Sequence, residues 1–265
     1  MRARRSGALR ACAHGLAGIA ISLVAGCAAP AEELHVAAAS SLREPLESIA
    51  ARFGSQRGDV RVWLGFGASS VLAAQVRAGA PVDVLVSADS RIADRLEREG
   101  LAGARRTVAR NRLVVVAREG GPHVETARDL VGPEVRRIAI PGHAVPVGRY
   151  AREWLTRHGI AEAVLARSVR TEHARATLTA VDQGLVDLAI VYISDASLAR
   201  RAHVALVIPD TEQPRIDYVA LELADARRPE LAREFLDFLR GAYAGQVLAE
   251  AGFLAPGPLP VGPVR

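Results

Sequence analysis

Short apolar runs alternate with amphipathic segments along most of the chain. LHVAAA, VRVWLGFG and VDVLVSAD have the length and apolar content of buried strands. Each run is followed by apolar residues at helical spacing. Two of these helices are predicted to end at Gly79 and Gly100, because glycine just past a helix is a common stop signal. Strands that alternate with helices indicate βαβ units and a parallel sheet.

A second series of the same kind follows. It predicts strands at RLVVVARE, RRIAIPG, LARSVR, LVDLAIVYI, HVALVIPD and RIDYVALEL, and helices at VGRYAREWLTRHG, TEHARATLTAVDQG, PELAREFLDFLR and AYAGQVLAEAGF. The sequence contains no internal repeat and no low-complexity linker. If the chain forms two lobes, it is therefore expected to pass between them through strand-like segments near residues 105–112 and 209–216, as at a hinge.

The N-terminus has the pattern of a targeting segment. Arginines precede an apolar run at residues 15–26, which is shorter than the roughly 20 residues that a membrane-spanning helix needs. Cys27 follows small residues in LVAGCAAP, which favours a lipid-modified cysteine; the alternative is simple cleavage nearby. The prediction is an exported protein of the periplasm or cell envelope, attached to the membrane only through a lipid on Cys27. Cys27 would then be the sole cysteine of the exported chain, which leaves no disulfide framework.

The composition argues for a folded core and against a nucleic-acid partner. The chain is 50% hydrophobic and 24% charged, and all 34 basic residues are arginine. Four of these arginines lie in the first 26 residues, so the remainder has nearly balanced charge. Scattered arginines in a nearly neutral chain are weak evidence for nucleic-acid binding.

No motif of an enzyme is present in the sequence. No serine lies in a GxSxG segment, GFGASS lacks the rest of a dinucleotide or P-loop pattern, and the histidines are not at metal-binding spacing. Asp83 and Asp89 could form an acid–base pair. The favoured interpretation is that they cap a turn and the following helix.

Several predicted helices begin with small, neutral residues. The first turn of a helix offers unpaired N–H groups and about half a positive charge, which suits an anion. For each single serine, an ordinary helix cap is the simpler alternative. The binding hypothesis depends on finding several such starts in one chain: Ser40 and Ser41, Ser69 and Ser70, Val147 and Gly148 after Pro146, and Ala174.

Five segments, in their order and spacing, resemble a known family. They are AAASS, FGASSVLAAQVRAGAPVDVLVSAD, RLVVVA, PGHAVPVGRYAREWL and AIVYISDA. They resemble the periplasmic molybdate-binding proteins of bacterial ABC importers, over about residues 34–253. The resemblance implies an α/β, type II periplasmic binding protein fold: two lobes, each a twisted mixed sheet flanked by helices, with the ligand cleft between them.

The resemblance also implies a domain layout and a ligand shell. The layout is a signal peptide at 1–26, a lipidated or flexible linker at 27–33, lobe 1 at 34–108, lobe 2 at 109–213, a return of lobe 1 at 214–254 and a Pro-rich tail at 255–265. The implied ligand donors are the hydroxyls of Ser40, Ser69 and Tyr192 and the backbone N–H groups of Val147 and Ala174. Ala68 replaces a serine that is common in the family, and the loop before Pro146 is one residue longer.

The implied function is capture of molybdate, and of tungstate, for the membrane permease of an ABC importer. The protein would act as a monomer, without a cofactor and without catalysis, and molybdenum would be present only within the bound oxyanion. The same architecture could instead bind sulfate, thiosulfate or another small oxyanion. Two further alternatives are an exported enzyme or redox protein and the effector domain of a transcription regulator. The export signal and the lack of a helix-turn-helix segment argue against the regulator.

Overall fold

The computed structural model of the chain describes residues 32–58 and 60–257. The predicted signal peptide, Cys27 and the last residues of the Pro-rich tail lie outside the described residues. The structure contains two five-stranded sheets with the same plan. In each sheet three parallel strands are followed by a fourth, antiparallel strand and then by a fifth strand at the edge.

The first sheet has the strand order β2-β1-β3-β10-β4. Its strands are β1 (Glu32–Ala39), β2 (Val60–Gly67), β3 (Val84–Ser87), β4 (Ala102–Arg110) and β10 (Asp217–Leu223). Strand β10 is buried along its whole length because it lies inside the sheet with helices over it. β1 and β2 pair in parallel from residue 32 to residue 39, so both strands end at the same edge.

The second sheet has the order β7-β6-β8-β5-β9. Its strands are β5 (Leu113–Ala117), β6 (Ile138–Pro141), β7 (Ser168–Thr171), β8 (Leu188–Tyr192) and β9 (His203–Val207). Strands β5, β6 and β8 are buried at every position. Such continuous apolar runs are typical of strands covered on both faces.

Nine α-helices cover the two sheets within the part of the chain that the structure describes. They are α1 (Arg43–Arg57), α2 (Ser69–Arg77), α3 (Ser90–Arg98), α4 (Pro146–Arg157), α5 (Ala161–Leu165), α6 (Ala174–Asp182), α7 (Ile193–Ala196), α8 (Pro229–Phe238) and α9 (Ala242–Glu250). Helices α1, α2, α3, α8 and α9 pack on the first sheet. These helices and the first sheet form the first half. Helices α4, α6 and α7 pack on the second sheet and α5 packs against α4; these helices and the second sheet form the second half. None of these helices is long and apolar enough to cross a membrane.

The chain passes between the halves twice. The first passage is only two residues long, Asn111 and Arg112, between β4 and β5. The second, residues 208–216, leads from β9 to β10 and contains a turn at Pro209–Gln213 rather than the predicted strand-like segment. The prediction of an α/β fold with two mixed sheets is confirmed.

The two helix ends that the sequence predicts from a glycine agree with the structure. Gly79 and Gly100 end α2 and α3 with left-handed φ values of 80° and 71°. LARSVR differs, because its first residue belongs to the short helix α5 and the strand begins only at Ser168. Ser40 and Ser41 do not begin the α-helix directly: they form a 3₁₀ turn, Ser40–Leu42, and α1 follows at Arg43.

Candidate functional site

A small buried cavity lies between the two halves, at the ends of the strands. The empty space among its lining residues is about 210 Å³, including its opening to solvent. No charged side chain contributes to its lining, which consists of Ala39, Ser40, Ser41, Gly67, Ala68, Ser69, Ala88, Val145, Pro146, Val147, Ala174 and Tyr192. All five residues of the implied ligand shell are therefore brought together.

Ser40 and Ser69 occupy equivalent positions after the parallel strands β1 and β2. Each is the first residue of its helical segment, and the capping positions before them are Ala39 and Ala68, which make no side-chain cap. The ordinary capping role is thus wrong for both serines. The Ser69 hydroxyl oxygen accepts a hydrogen bond from the Ala88 N–H at 3.0 Å. Its own proton remains available to donate.

Val147 and Ala174 lie in the first turns of α4 and α6. Val147 follows Pro146, which begins α4, and Ala174 is the first residue of α6. N–H groups in the first turn have no acceptor within their own helix. Both residues are buried against the cavity, so their N–H groups can serve a ligand but not bulk solvent.

Tyr192 ends β8 and contributes a phenol to the cavity. Its side chain is 1% exposed, and its hydroxyl has no hydrogen-bond partner among the described residues. A buried unsatisfied hydroxyl costs about 1–3 kcal/mol. Burial raises the pKa of Tyr192 well above its usual value, so the phenol keeps its proton and acts as a donor at neutral pH.

The second of the two serines after β1, Ser41, has a structural role. Its hydroxyl lies 2.7 Å from the hydroxyl of Tyr218 on β10. The side-chain amide of Asn111, in the two-residue passage between the halves, donates to Tyr218 at 3.3 Å and to Ser194 at 2.8 Å. The second serine thus joins a buried polar network that links both halves at the first passage. The sequence alone did not identify this network.

Asp83 and Asp89 have structural roles. Asp89 caps α3 by accepting from the Arg91 N–H at 2.9 Å, as predicted. Asp83 accepts from the backbone N–H groups of His35 and Arg227 at 2.8 and 2.7 Å, and so joins β1 to the segment before α8. No three acidic, histidine or cysteine side chains of the described residues are grouped so as to hold a metal ion.

Two ion pairs connect the halves on either side of the cavity. Arg149 of α4 donates to Asp89 at 3.0 and 2.7 Å through Nε and Nη2. Arg175 of α6 contacts Glu44 of α1 at 2.6 Å. Neither pair was predicted from the sequence, because their partners are 60 and 131 residues apart in the chain.

Asp195 of α7 lies behind the second pair. It is completely buried, and neither carboxylate oxygen has a hydrogen-bond partner within the described part of the chain. Burial raises the pKa of Asp195 to about 7, while Arg175, 3.5 Å away, acts in the opposite direction.

Comparison with known proteins places these features in a family. The profile of the family described as bacterial extracellular solute-binding protein matches residues 34–254. The Escherichia coli (strain K12) molybdate-binding protein ModA is 30% identical over 248 residues, which are 89% of this chain and 95% of that protein. A putative ABC transporter substrate-binding lipoprotein of Bacillus subtilis, YvgL, is 27% identical over 89% of this chain and 95% of its own.

A solved structure agrees with the sequence comparison. The periplasmic molybdate-binding protein of Azotobacter vinelandii superposes with a TM-score of 0.76 at 26% identity, over 84% of this chain and 100% of that one. The fold is that of the type II periplasmic binding proteins, as predicted. The chain therefore belongs to the family of bacterial extracellular solute-binding proteins, as a ModA-type, non-enzymatic member.

Proposed function

We propose that this protein captures molybdate, and tungstate, in the cavity between its halves and delivers it to an ABC importer. The observation that carries the proposal is one small buried cavity lined by hydroxyl and helix N-terminal donors and by no charged side chain. The family membership and the names of the relatives support the same class of solute.

The donors suit a tetrahedral dianion. Ser40 and Ser69 approach from the first half, and Tyr192 with the N–H groups of Val147 and Ala174 approaches from the second half. Hydrogen bonds to an ionised acceptor are stronger than bonds between neutral groups. The N-termini of α4 and α6 add a favourable field of roughly 0.3–1 kcal/mol each, and up to about 2 kcal/mol when partly buried.

The same donors discriminate against protonated oxyanions. An ion that carries a proton needs an acceptor, and the oxygen of Ser69 already accepts from Ala88. A fully deprotonated dianion only accepts hydrogen bonds. A protonated phosphate would leave a donor unmatched, at a cost of about 1–3 kcal/mol. Molybdate and tungstate match each other in charge and shape, so both bind; the smaller sulfate fits loosely.

Entry of the ion requires the halves to separate. The cavity is lined by residues of both halves, and two short passages, residues 111–112 and 208–216, connect the halves. We propose lobes at 34–108 with 214–254 and at 109–213, which open and close about these passages. Ligand shifts the equilibrium toward the closed form because only that form brings all five donors together.

Delivery takes place outside the cytoplasm. The family consists of extracellular solute-binding proteins. Export by the segment 1–26 and a lipid on Cys27 would keep the protein next to its permease, and the lipoprotein among the relatives supports this arrangement. The proposed partners are thus the oxyanion and a membrane permease, with the protein acting as a monomer.

A thermal-unfolding screen tests the choice of oxyanion. A ligand at about 1,000 times its Kd stabilises the folded state by about 4 kcal/mol. For a chain of this size that corresponds to a rise in Tm of roughly 8–16 °C. We expect this rise with molybdate and tungstate and almost none with equal concentrations of sulfate, thiosulfate or phosphate. A rise with sulfate or thiosulfate alone would establish the alternative ligand, and no rise with any oxyanion would reject the proposal.

A further inference from the structure

We infer that Arg149 and Arg175 are positioning residues, which hold the helices α4 and α6 in their ligand-binding place by ion pairs to the first half. This inference rests on the proposed function and names two residues beyond the ligand shell. Arg149 lies two positions after Val147, and Arg175 directly follows Ala174. Each arginine is therefore fixed to the helical turn that presents a backbone donor to the cavity.

The Arg149 pair is the better shielded of the two. Both Nε and Nη2 of Arg149 donate to the same carboxylate oxygen, Oδ2 of Asp89. The Asp89 side chain is 6% exposed and that of Arg149 is 23% exposed. Asp89 is itself held by the Arg91 N–H on its other oxygen, so the pair connects α4 directly to the start of α3. Removing one partner of a shielded pair costs more than removing one partner of a surface pair, because the remaining charge is left partly buried.

The Arg175 pair is more exposed and has an alternative partner. Glu44 is 48% exposed, and it lies in the first turn of α1, next to the 3₁₀ turn that begins at Ser40. Asp195, in the second half, is 3.5 Å from Arg175 Nε and has no hydrogen-bond partner among the described residues. When the halves separate, Arg175 loses Glu44 and keeps Asp195. The pair can thus break and re-form without leaving a buried arginine alone.

The two pairs are distinguished by their place in the molecule. Of the side-chain ion pairs among residues 32–58 and 60–257, these two connect the first half to the second half; the rest join residues within one half or at the passages. They stand at α4 and at α6, so together they fix both donor helices against the first half. The expected consequence is a slower release of the oxyanion, because release requires both pairs to break.

The test is to remove the charge from the first-half partners in the full-length protein. Glu44→Gln and Asp89→Asn change one atom each, and asparagine caps a helix about as well as aspartate. Glu99→Gln is the matched control. Glu99 pairs with Arg77 at 2.6 Å within the first half, and the Glu99 side chain is 37% exposed. Dissociation rates of molybdate are measured by stopped flow, and the radius of gyration without ligand by small-angle X-ray scattering.

We expect Glu44→Gln to raise the dissociation rate roughly two- to fivefold, as an exposed pair would. We expect Asp89→Asn to raise it about tenfold, and the double variant to combine both effects. The double variant should also have a larger radius of gyration than the wild type, while Glu99→Gln changes neither quantity. A merely structural role would lower the unfolding midpoint without changing the dissociation rate at temperatures where all variants are folded.

Unchanged dissociation rates and an unchanged radius in the double variant would overturn the inference. If the wild type does not bind molybdate, the proposed function fails. The radius of gyration of the ligand-free variants then decides whether the ion pairs hold the halves together, because that measurement needs no ligand.

Discussion

Replacing Ser40 and Ser69 together by alanine is expected to weaken molybdate binding roughly 10²- to 10⁴-fold. Each hydroxyl removed takes away a hydrogen bond to a charged acceptor, which is worth about 1.5–3 kcal/mol. Two such bonds amount to about 3–6 kcal/mol, and every 1.4 kcal/mol is tenfold in affinity. Calorimetric titration of the double variant with molybdate measures the change.

The matched control for this variant is Ser48→Ala with Ser55→Ala. These serines lie exposed on α1 and bond only to carbonyl groups of their own helix. Ser69→Ala also leaves the Ala88 N–H without its acceptor, so some loss of stability is expected in that variant. Ser40→Ala, which leaves that hydrogen bond intact, separates the two effects. Wild-type affinity in the Ser40/Ser69 double variant would remove both serines from the ligand shell.

Gly148→Ala is expected to lower Tm by roughly 2–12 °C and to weaken molybdate binding about tenfold. A Cβ at this position would lie 2.5 Å from the carbonyl oxygen of Gly142 and equally tightly against that of Pro141. Overpacking of this kind costs about 1–3 kcal/mol or more. The side chain of Arg152 also donates to the carbonyls of Pro141 and Gly148 at 2.7 Å, which holds the backbone there. The first turn of α4 must therefore move away from β6 and take Val147 with it.

Gly245→Ala in α9 is the control for Gly148→Ala. Gly245 is also helical, and an added Cβ meets no atom within 4 Å. Alanine is favoured over glycine in a helix by about 0.5–1 kcal/mol, so this variant should be slightly more stable than the wild type and bind molybdate normally. Thermal unfolding and calorimetry on both variants provide the comparison. Equal behaviour of the two would contradict the close approach of α4 to β6.

The sequence predicted the parts of the fold that depend on local pattern. The apolar runs of β1 and β2 and the helix ends at Gly79 and Gly100 can be predicted from neighbouring residues alone. Short elements were missed, because five residues such as Ala161–Leu165 are fewer than a helix needs for a periodic pattern. Their helical form depends on packing against the rest of the molecule.

Only part of the candidate site could be predicted from the sequence. The strand-to-helix pattern pointed equally to two pairs of serines, Ser40 with Ser41 and Ser69 with Ser70. The resemblance to a family singled out Ser40 and Ser69, and it supplied the roles of Val147, Ala174 and Tyr192. The structural role of Ser41 could not be predicted from the sequence, since its partner Tyr218 is 177 residues away along the chain. Long-range polar contacts of this kind depend on how the halves pack, and no local pattern encodes them.

The most direct test of the account is calorimetric titration of the full-length protein with molybdate, followed by tungstate and then sulfate. We predict tight binding of one molybdate per chain, similar binding of tungstate and no measurable heat with sulfate at the same concentrations. Heat with sulfate but not with molybdate, or no heat with any of the three, would contradict the proposal that this cavity is a molybdate site.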